Sequence, residues 1–313
     1  MNMKTARLTR SIRVKLLKRY WALYLLALPG IVYLIINNYL PMAGVILAFK
    51  KFSFKKGIFA SPWNGIDNFK YLFTSKWAGI MFRNTILYNL VFLSLGTIFA
   101  VTVAVILNEI RFKKARQIYQ TLILIPYLFS MVIAGYIVFA FLSTKGFINL
   151  GLLKPIGVEP VNWYTEDKYW PVILTIVFLW KSFGYQSIVY YATIVGFDAS
   201  LYEAAMVDGA TRWKQLTKIT LPLLKPTIVI LLLMAIGRMF NSDFGLFYQI
   251  PQNSGLLFRT TTTIDTFVYR ALMIDNDVGR SLAAGFMQSV LGFIVVMIAN
   301  AVVRKVESSS ALF

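Results

Sequence analysis

The sequence contains no cysteine and no histidine. Those absences exclude disulfides, thiolate zinc sites, histidine-based triads and imidazole proton relays, and with them most reaction centres. Acidic residues are scarce: 13 Asp and Glu stand against 32 Lys and Arg, a formal charge of +19. Charge of either sign is thin, at 14% of the 313 residues, where soluble domains carry roughly 25%. A phosphate loop of the form Gly-x4-Gly-Lys-Ser/Thr is missing too, so any nucleotide chemistry that relies on one belongs to another polypeptide.

What is present is apolar. Hydrophobic residues make up 58% of the chain and mean hydropathy is +0.65. Runs long enough to cross a bilayer, which takes about 20 helical residues, recur along the whole length. Apolar length and polar punctuation place six, at Trp21 to Tyr39, Phe82 to Leu107, Tyr119 to Leu142, Trp170 to Ala192, Leu223 to Phe247 and Leu282 to Val303. The expectation is an all-α integral membrane protein of about six spans. The apolar run Trp21 to Phe49 is too long for the core of a secretory signal, so residues 1–20 read as a basic cytoplasmic tail before an uncleaved first span. Residues 21–81 then hold that span and its outside loop, residues 82–303 the core, and residues 304–313 a second cytoplasmic tail. Pro29, Gly30 and Pro41 leave two readings of the first span: helical pieces broken near Pro41, or a simple interfacial turn.

Basic residues flank the apolar runs, so anionic lipid is the expected partner of the positive charge and nucleic acid is not. Arg111, Lys113, Lys114 and Arg116 crowd the connection 108–118, and Arg304 and Lys305 follow the last span. With six spans these fall on the same side as the basic N-terminus, the cytoplasmic one. The outside loops 143–169 and 248–281 balance Lys and Arg against Glu and Asp. The loop 50–80, with Lys50, Lys51, Lys55, Lys56, Lys70 and Lys76, breaks that pattern. An even number of spans still puts it outside. Trp21, Tyr24, Trp77, Tyr119, Tyr127, Trp163, Tyr164 and Trp170 sit at span ends, where amphipathic rings settle at headgroup level.

The connection 198–222, between the fourth and fifth spans, has readable local physics. Ser200 and Glu203 form a capping-box spacing, predicting a short helix from near Leu201. Ala204, Ala205 and Met206 continue it, and Gly209 can take the left-handed conformation that ends it. Arg212, Trp213 and Lys214 open a second piece running to Leu221 and Pro222. The predicted product is a helix, a sharp turn and another helix at the membrane surface. On local physics alone it is equally a docking element for a partner or an amphipathic connector with none.

Here the sequence resembles the permease subunits of binding-protein-dependent ATP-binding-cassette importers. Their signature is Glu-Ala-Ala, a Gly a few residues on, then a hydrophobic residue and Leu-Pro. Glu203-Ala204-Ala205, Asp208-Gly209-Ala210 and Ile219-Thr220-Leu221-Pro222 match it in register. Trp180-Lys181-Ser182-Phe183-Gly184-Tyr185 looks like the segment before this loop in sugar-type permeases. Arg83-Asn84-Thr85 and Ile125-Pro126 are similar to their second and third spans. The likeness runs from Phe82 to the end and points to the oligosaccharide branch.

That resemblance implies the type I importer permease (MetI-like) fold. It also implies that Glu203, Ala204, Ala205, Asp208, Gly209 and Arg212 form a coupling helix docking on an ATPase subunit. The implied partners are a second permease, two ATPase subunits carrying ATP and Mg, an extracytoplasmic solute-binding protein and an oligosaccharide. The location is the bacterial cytoplasmic membrane, and no cofactor or metal is bound by this chain. An ion-gradient-driven secondary transporter is the competing reading, with Asp243 nearly its only candidate carboxylate. A membrane enzyme acting on lipid-linked sugar is a third, but no acidic cluster supports it.

Polar residues inside the spans are the candidate solute pathway. Lys181 falls mid-span, where an ammonium costs at least about 2.5 kcal/mol, so it should face a cavity or a carboxylate. Arg238, Asn241 and Asp243 interrupt the fifth span, with two readings: an Arg-to-Asp structural pair, or a hydrated path that hydrogen-bonds sugar hydroxyls. Tyr185, Gln186 and Gln288 are candidates too, with helix packing as the competing reading, since lone uncharged polar residues in spans are often packing contacts. The basic excess fits an acidic uronate oligosaccharide as well as a neutral one.

Overall fold

The computed structural model describes residues 3–306, with side chains from 19 to 305. The side chains of the basic tail up to Lys18, and residues 307–313, lie outside the described residues. Among the described residues the chain is helical throughout, with one isolated bridge between Lys50 and Trp63. Five helices are long and apolar enough to cross a membrane, or six if one bent pair counts as a single span.

Helix α1 (Met3–Leu34) continues through a π turn at Ile35–Tyr39 and a 3-10 stretch at Ala43–Phe49, making Arg19–Phe49 one span. A break near Pro41 does not occur: the wider turn ahead of it makes room for the proline ring. Helix α2 (Asp67–Thr74) leads into α3 (Lys76–Glu109), whose start is capped by Ser75, its hydroxyl accepting from the Ala78 amide at 3.2 Å.

The third expected span is two helices, α4 (Lys113–Leu128) and α5 (Met131–Leu142), bent by 95°. Pro126 sits in the last turn of α4, Phe129 turns extended, and the Ser130 hydroxyl caps α5 by accepting from the Ile133 amide. Helix α6 (Trp170–Val195) is the fourth span and α7 (Ala199–Val207) the short loop helix. The fifth span, α8 (Arg212–Ile236), stops earlier than its apolar run suggests, at Gly237. A turn over 237–243 follows, then α9 (Phe244–Gln249), with α10 (Ile264–Met273) and the last span α11 (Val278–Val306). The second loop helix is therefore not a separate surface piece: a π turn at Leu216–Thr220 carries Arg212 to Gln215 straight into the span.

The axis of the bundle is α3 against α6. Gly96, Ala100 and Ala104 stand four apart on the buried face of α3, small residues that let backbones approach. Ala100 and Ala104 meet Tyr190 and Ile194 of α6 near one end, Gly96 lies beside Gln186 and Phe178, and Phe92 stacks on Phe178 at 4.0 Å further along. At the other end Leu72, Met81, Ile264 and Ala283 bring α2, α3, α10 and α11 together.

The two ends separate the loops cleanly. Arg212 reaches Glu109 at 3.9 Å and Arg116 donates to the Tyr191 hydroxyl at 2.9 Å, so 108–118 and 198–222 share one end. At the opposite end Asn68 donates to the Ala48 and Lys50 carbonyls, and Asn84 to those of Arg259 and Thr262. Tyr164 and Ser254 join 143–169 to the same end, and the Arg280 guanidinium lies 4.0 Å from the Tyr71 ring. The lysine-rich loop thus lies opposite the Glu203 loop despite its charge. One of its lysines is structural: Lys50 is buried and donates to the Ile58 and Phe59 carbonyls at 3.0 and 2.8 Å.

Candidate functional site

Two regions collect the candidate residues. The first is α7 and its turn. Its cap is Asp198, whose carboxylate accepts from the Ser200 amide at 2.9 Å and is thereby held below the usual carboxylate range. The helix starts at Ala199, and the Ser200–Glu203 capping box does not form, because Asp198 already satisfies the first free donors. Gly209 has φ +73°, and the Ala210 amide reaches back to the Ala205 carbonyl at 2.8 Å, closing the helix end. The buried Gln215 amide donates to the Ala210 carbonyl, and Tyr202 meets the Thr220 hydroxyl at 3.0 Å. The sequence reading missed Gln215 and Tyr202, polar residues inside the motif that lock the two helices at a fixed angle.

This rigid corner presents apolar surface. Val207 is 88% exposed and Trp213 71%, with Leu201 and Met206 also out; Glu203, Ala204, Asp208, Gly209 and Arg212 are exposed and Ala205 half-buried. Exposed apolar patches rimmed by polar residues are found where proteins or membranes make contact. The Arg212–Glu109 pair is a surface bridge worth little by itself.

The second region is a polar belt midway along the spans, where both helix breaks meet. Lys181, twelfth of the twenty-six residues of α6, is buried. Its ammonium donates to the Pro126 carbonyl at 3.2 Å, which also accepts from the Phe129 amide, and to the Phe129 carbonyl, an acceptor left free where α4 stops. Lys181 therefore closes a helix end rather than facing a cavity. Gly184, one turn on, makes this possible: a Cβ there would stand 1.8 Å from the Ile123 carbonyl oxygen. Four residues of the Trp180–Tyr185 segment thus have assigned work, since Trp180 also packs beside Phe129 and the Tyr185 ring stacks on Tyr127 at 4.8 Å.

On the other side of the belt, Gln288 of α11 donates to the Phe240 carbonyl and the Asn241 side-chain oxygen, both at 2.9 Å, and to Asp265 at 3.1 Å. Asp265 also accepts from the Ser242 amide at 2.6 Å. Asp243 caps α9 through the Leu246 amide. The Arg238–Asp243 pair does not form; the Arg238 side chain is exposed and has no partner among the described residues. Gln186 stays apart from this belt, its oxygen lying over Gly96 of α3.

Below the Tyr127–Tyr185 stack runs a groove of about 730 Å³ between α4 and α6, lined by Gln117, Gln120, Thr121, Ile188 and Tyr191 among others. None of its α4 residues was a sequence candidate, although Gln117, Gln120 and Thr121 share one helix face by spacing, a legible signal.

A membrane bundle with two helices broken at one depth, and a rigid apolar corner at one end, is the architecture of a transport subunit. The chain belongs to the family described as the binding-protein-dependent transport system inner membrane component, matched over residues 96–308. It is similar to the polygalacturonan/rhamnogalacturonan transport system permease protein YteP of Bacillus subtilis (strain 168), 33% identical over 95% of this chain and 91% of that one. Its structure resembles a chain of a bacterial ABC transporter involved in the import of the acidic polysaccharide alginate, with TM-score 0.86 and 33% identity over 94% of this chain and 98% of that one. A chain of a bacterial alginate ABC transporter in complex with alginate pentasaccharide-bound periplasmic protein matches with TM-score 0.84 and 33% identity over 93% and 97% of the two chains.

Proposed function

We propose that the chain is the permease subunit of an ATP-driven oligosaccharide importer in the bacterial cytoplasmic membrane, forming half of the solute pathway. Its N-terminus is cytoplasmic in this reading. The observation that carries it is the exposed corner at Glu203 to Gly209, placed at the end opposite the lysine-rich loop and built as a stiff lever. The corner docks on a separate ATPase subunit, one of two, which carries ATP and Mg; this chain supplies no catalytic group. A second permease completes the pathway, and an extracytoplasmic binding protein delivers the solute at the far end. Closure of the ATPase pair then rocks the two permeases between inward and outward access, a rigid-body switch.

The pathway passes the mid-span belt and the α4–α6 groove. Tyr127 and Tyr185 offer ring faces, and Gln117 and Gln120 offer amides, the groups that recognise sugar rings and hydroxyls. Gln288 and Lys181 hold the belt in shape. A second, finer reading is that the solute is acidic, supported by the uronate-rich polymers for which the similar proteins are named. ATP-dependent uptake in reconstituted vesicles tests the main reading: vanadate stops it and a protonophore does not. Uptake that survives vanadate and collapses with the proton gradient contradicts it.

A further inference from the structure

The charged groups of the mid-span belt are not equivalent. The Lys181 ammonium is enclosed by the Pro126 and Phe129 carbonyls, Asp243 caps α9, and Asp265 is bound by the Ser242 amide and Gln288. Arg238 alone offers its charge outward: it is exposed, and its side chain has no partner among the described residues. Its depth is fixed by its neighbour. Gly237 packs against α11 so closely that a Cβ would meet Val296 at 2.8 Å, and its carbonyl lies beside Gly292, the fifteenth of the twenty-nine residues of α11. Arg238 therefore stands at mid-helix, where an unpaired guanidinium against lipid is strongly disfavoured. Its surroundings must be polar.

A turn holds Arg238 beside Asn241, whose backbone amide donates to the Arg238 carbonyl at 2.8 Å. Gln288 occupies the Asn241 side-chain oxygen, so that amide is fixed with its N–H groups as the part left to offer. The pair presents donors only: a planar guanidinium fork, which matches a carboxylate through two parallel hydrogen bonds, and a side-chain amide. No carboxylate of the belt competes for them, because Asp243 and Asp265 are engaged elsewhere.

We propose that Arg238, with Asn241 beside it, is the specificity-determining residue that reads the carboxylate of a uronate unit as the oligosaccharide passes the helix break. The assignment rests on the acidic-solute reading above and adds the residue that carries it. A neutral sugar would leave the guanidinium unpaired, so discrimination arises from the solute that satisfies it.

The test uses the complete importer, this chain with its partner permease, ATPase pair and binding protein, reconstituted in liposomes. Uptake of an oligogalacturonate is compared with uptake of the same chain as its methyl ester, which keeps the rings and removes the charge. Arg238→Gln is expected to lower the ratio of acid to ester uptake at least about tenfold, the scale of one charge-assisted hydrogen bond, and Arg238→Lys to lower it less. A ratio unchanged within twofold overturns the assignment. Loss of the partner permease on purification of Arg238→Gln also overturns it, by showing that the guanidinium pairs with that subunit. A wild-type complex that takes up the ester but not the acid contradicts the acidic-solute reading itself.

Discussion

Replacing Gly184 by alanine probes the contact on which the mid-span belt depends. The added Cβ would stand 1.8 Å from the Ile123 carbonyl oxygen and 2.6 Å from its carbon. A carbon and an oxygen need about 3.3 Å, so α4 and α6 must part by roughly 1.5 Å against backbone, which has no rotamer to change. Overpacking of this kind costs about 1–3 kcal/mol. The same displacement takes the Pro126 and Phe129 carbonyls away from Lys181, now at 3.2 Å from Pro126; Pro126 keeps the Phe129 amide, and the Phe129 carbonyl, left unpaired, adds about 1–3 kcal/mol. The expected loss is about 2–6 kcal/mol, read as a lowered unfolding midpoint of the purified subunit in detergent. Gly285→Ala is the control, because its Cβ meets nothing within 4 Å, and a helix-interior alanine is worth about 0.5–1 kcal/mol of added stability. Equal midpoints for the two variants would refute the close-approach reasoning.

The other predictions concern the two sites. Lys181→Met should destabilise by about 1–3 kcal/mol through the unpaired Phe129 carbonyl at the end of α4, and a stability equal to wild type would show that this carbonyl has another donor. Asn84→Ala removes both bonds to the Arg259 and Thr262 carbonyls and should cost about 1–3 kcal/mol in the same assay; an unchanged midpoint counts against that tether. Glu203→Lys should weaken retention of the ATPase while leaving the subunit's own midpoint unchanged, since the side chain is exposed. Gly209→Val meets no atom but forces a β-branched residue to φ +73°, a strain of about 1–2 kcal/mol. It should re-aim the corner, so that ATP hydrolysis persists while uptake falls; uptake equal to wild type would contradict a lever role.

The parts of the fold that were legible in the sequence are those set by local pattern. Apolar length located all the spans, and the Glu203 to Pro222 spacing located the corner, with Gly209 in the conformation its position implies. The helix break at 129–130 was hidden, and the polar residues that interrupt the fifth span did not show that its helix ends at 237–243, because the stabilising partners of both breaks are remote in sequence. Lys181 closes the first from 52 and 55 residues away, and Gln288 holds the second from 47 and 48. An apolar run carries no mark of such a break until its orphaned carbonyls find a donor. Lys181 was rightly singled out as costly at its depth, but its solution, capping a neighbouring helix, needs the bend in α4–α5 to be known first. Asp198 shows the opposite difficulty: two capping signals overlap within six residues, and local sequence does not rank them.

Because the chain has no cysteine of its own, a single introduced thiol reports one position without background. Val207→Cys at the tip of the corner and Phe59→Cys in the lysine-rich loop are comparably accessible, at 88% and 89% exposure in the parent residues. Cross-linking of the assembled transporter should join Val207→Cys to an ATPase subunit and leave Phe59→Cys unattached to it. An ATPase captured by Phe59→Cys, or by neither position in a complex that still hydrolyses ATP, would contradict docking at the Glu203 to Gly209 corner.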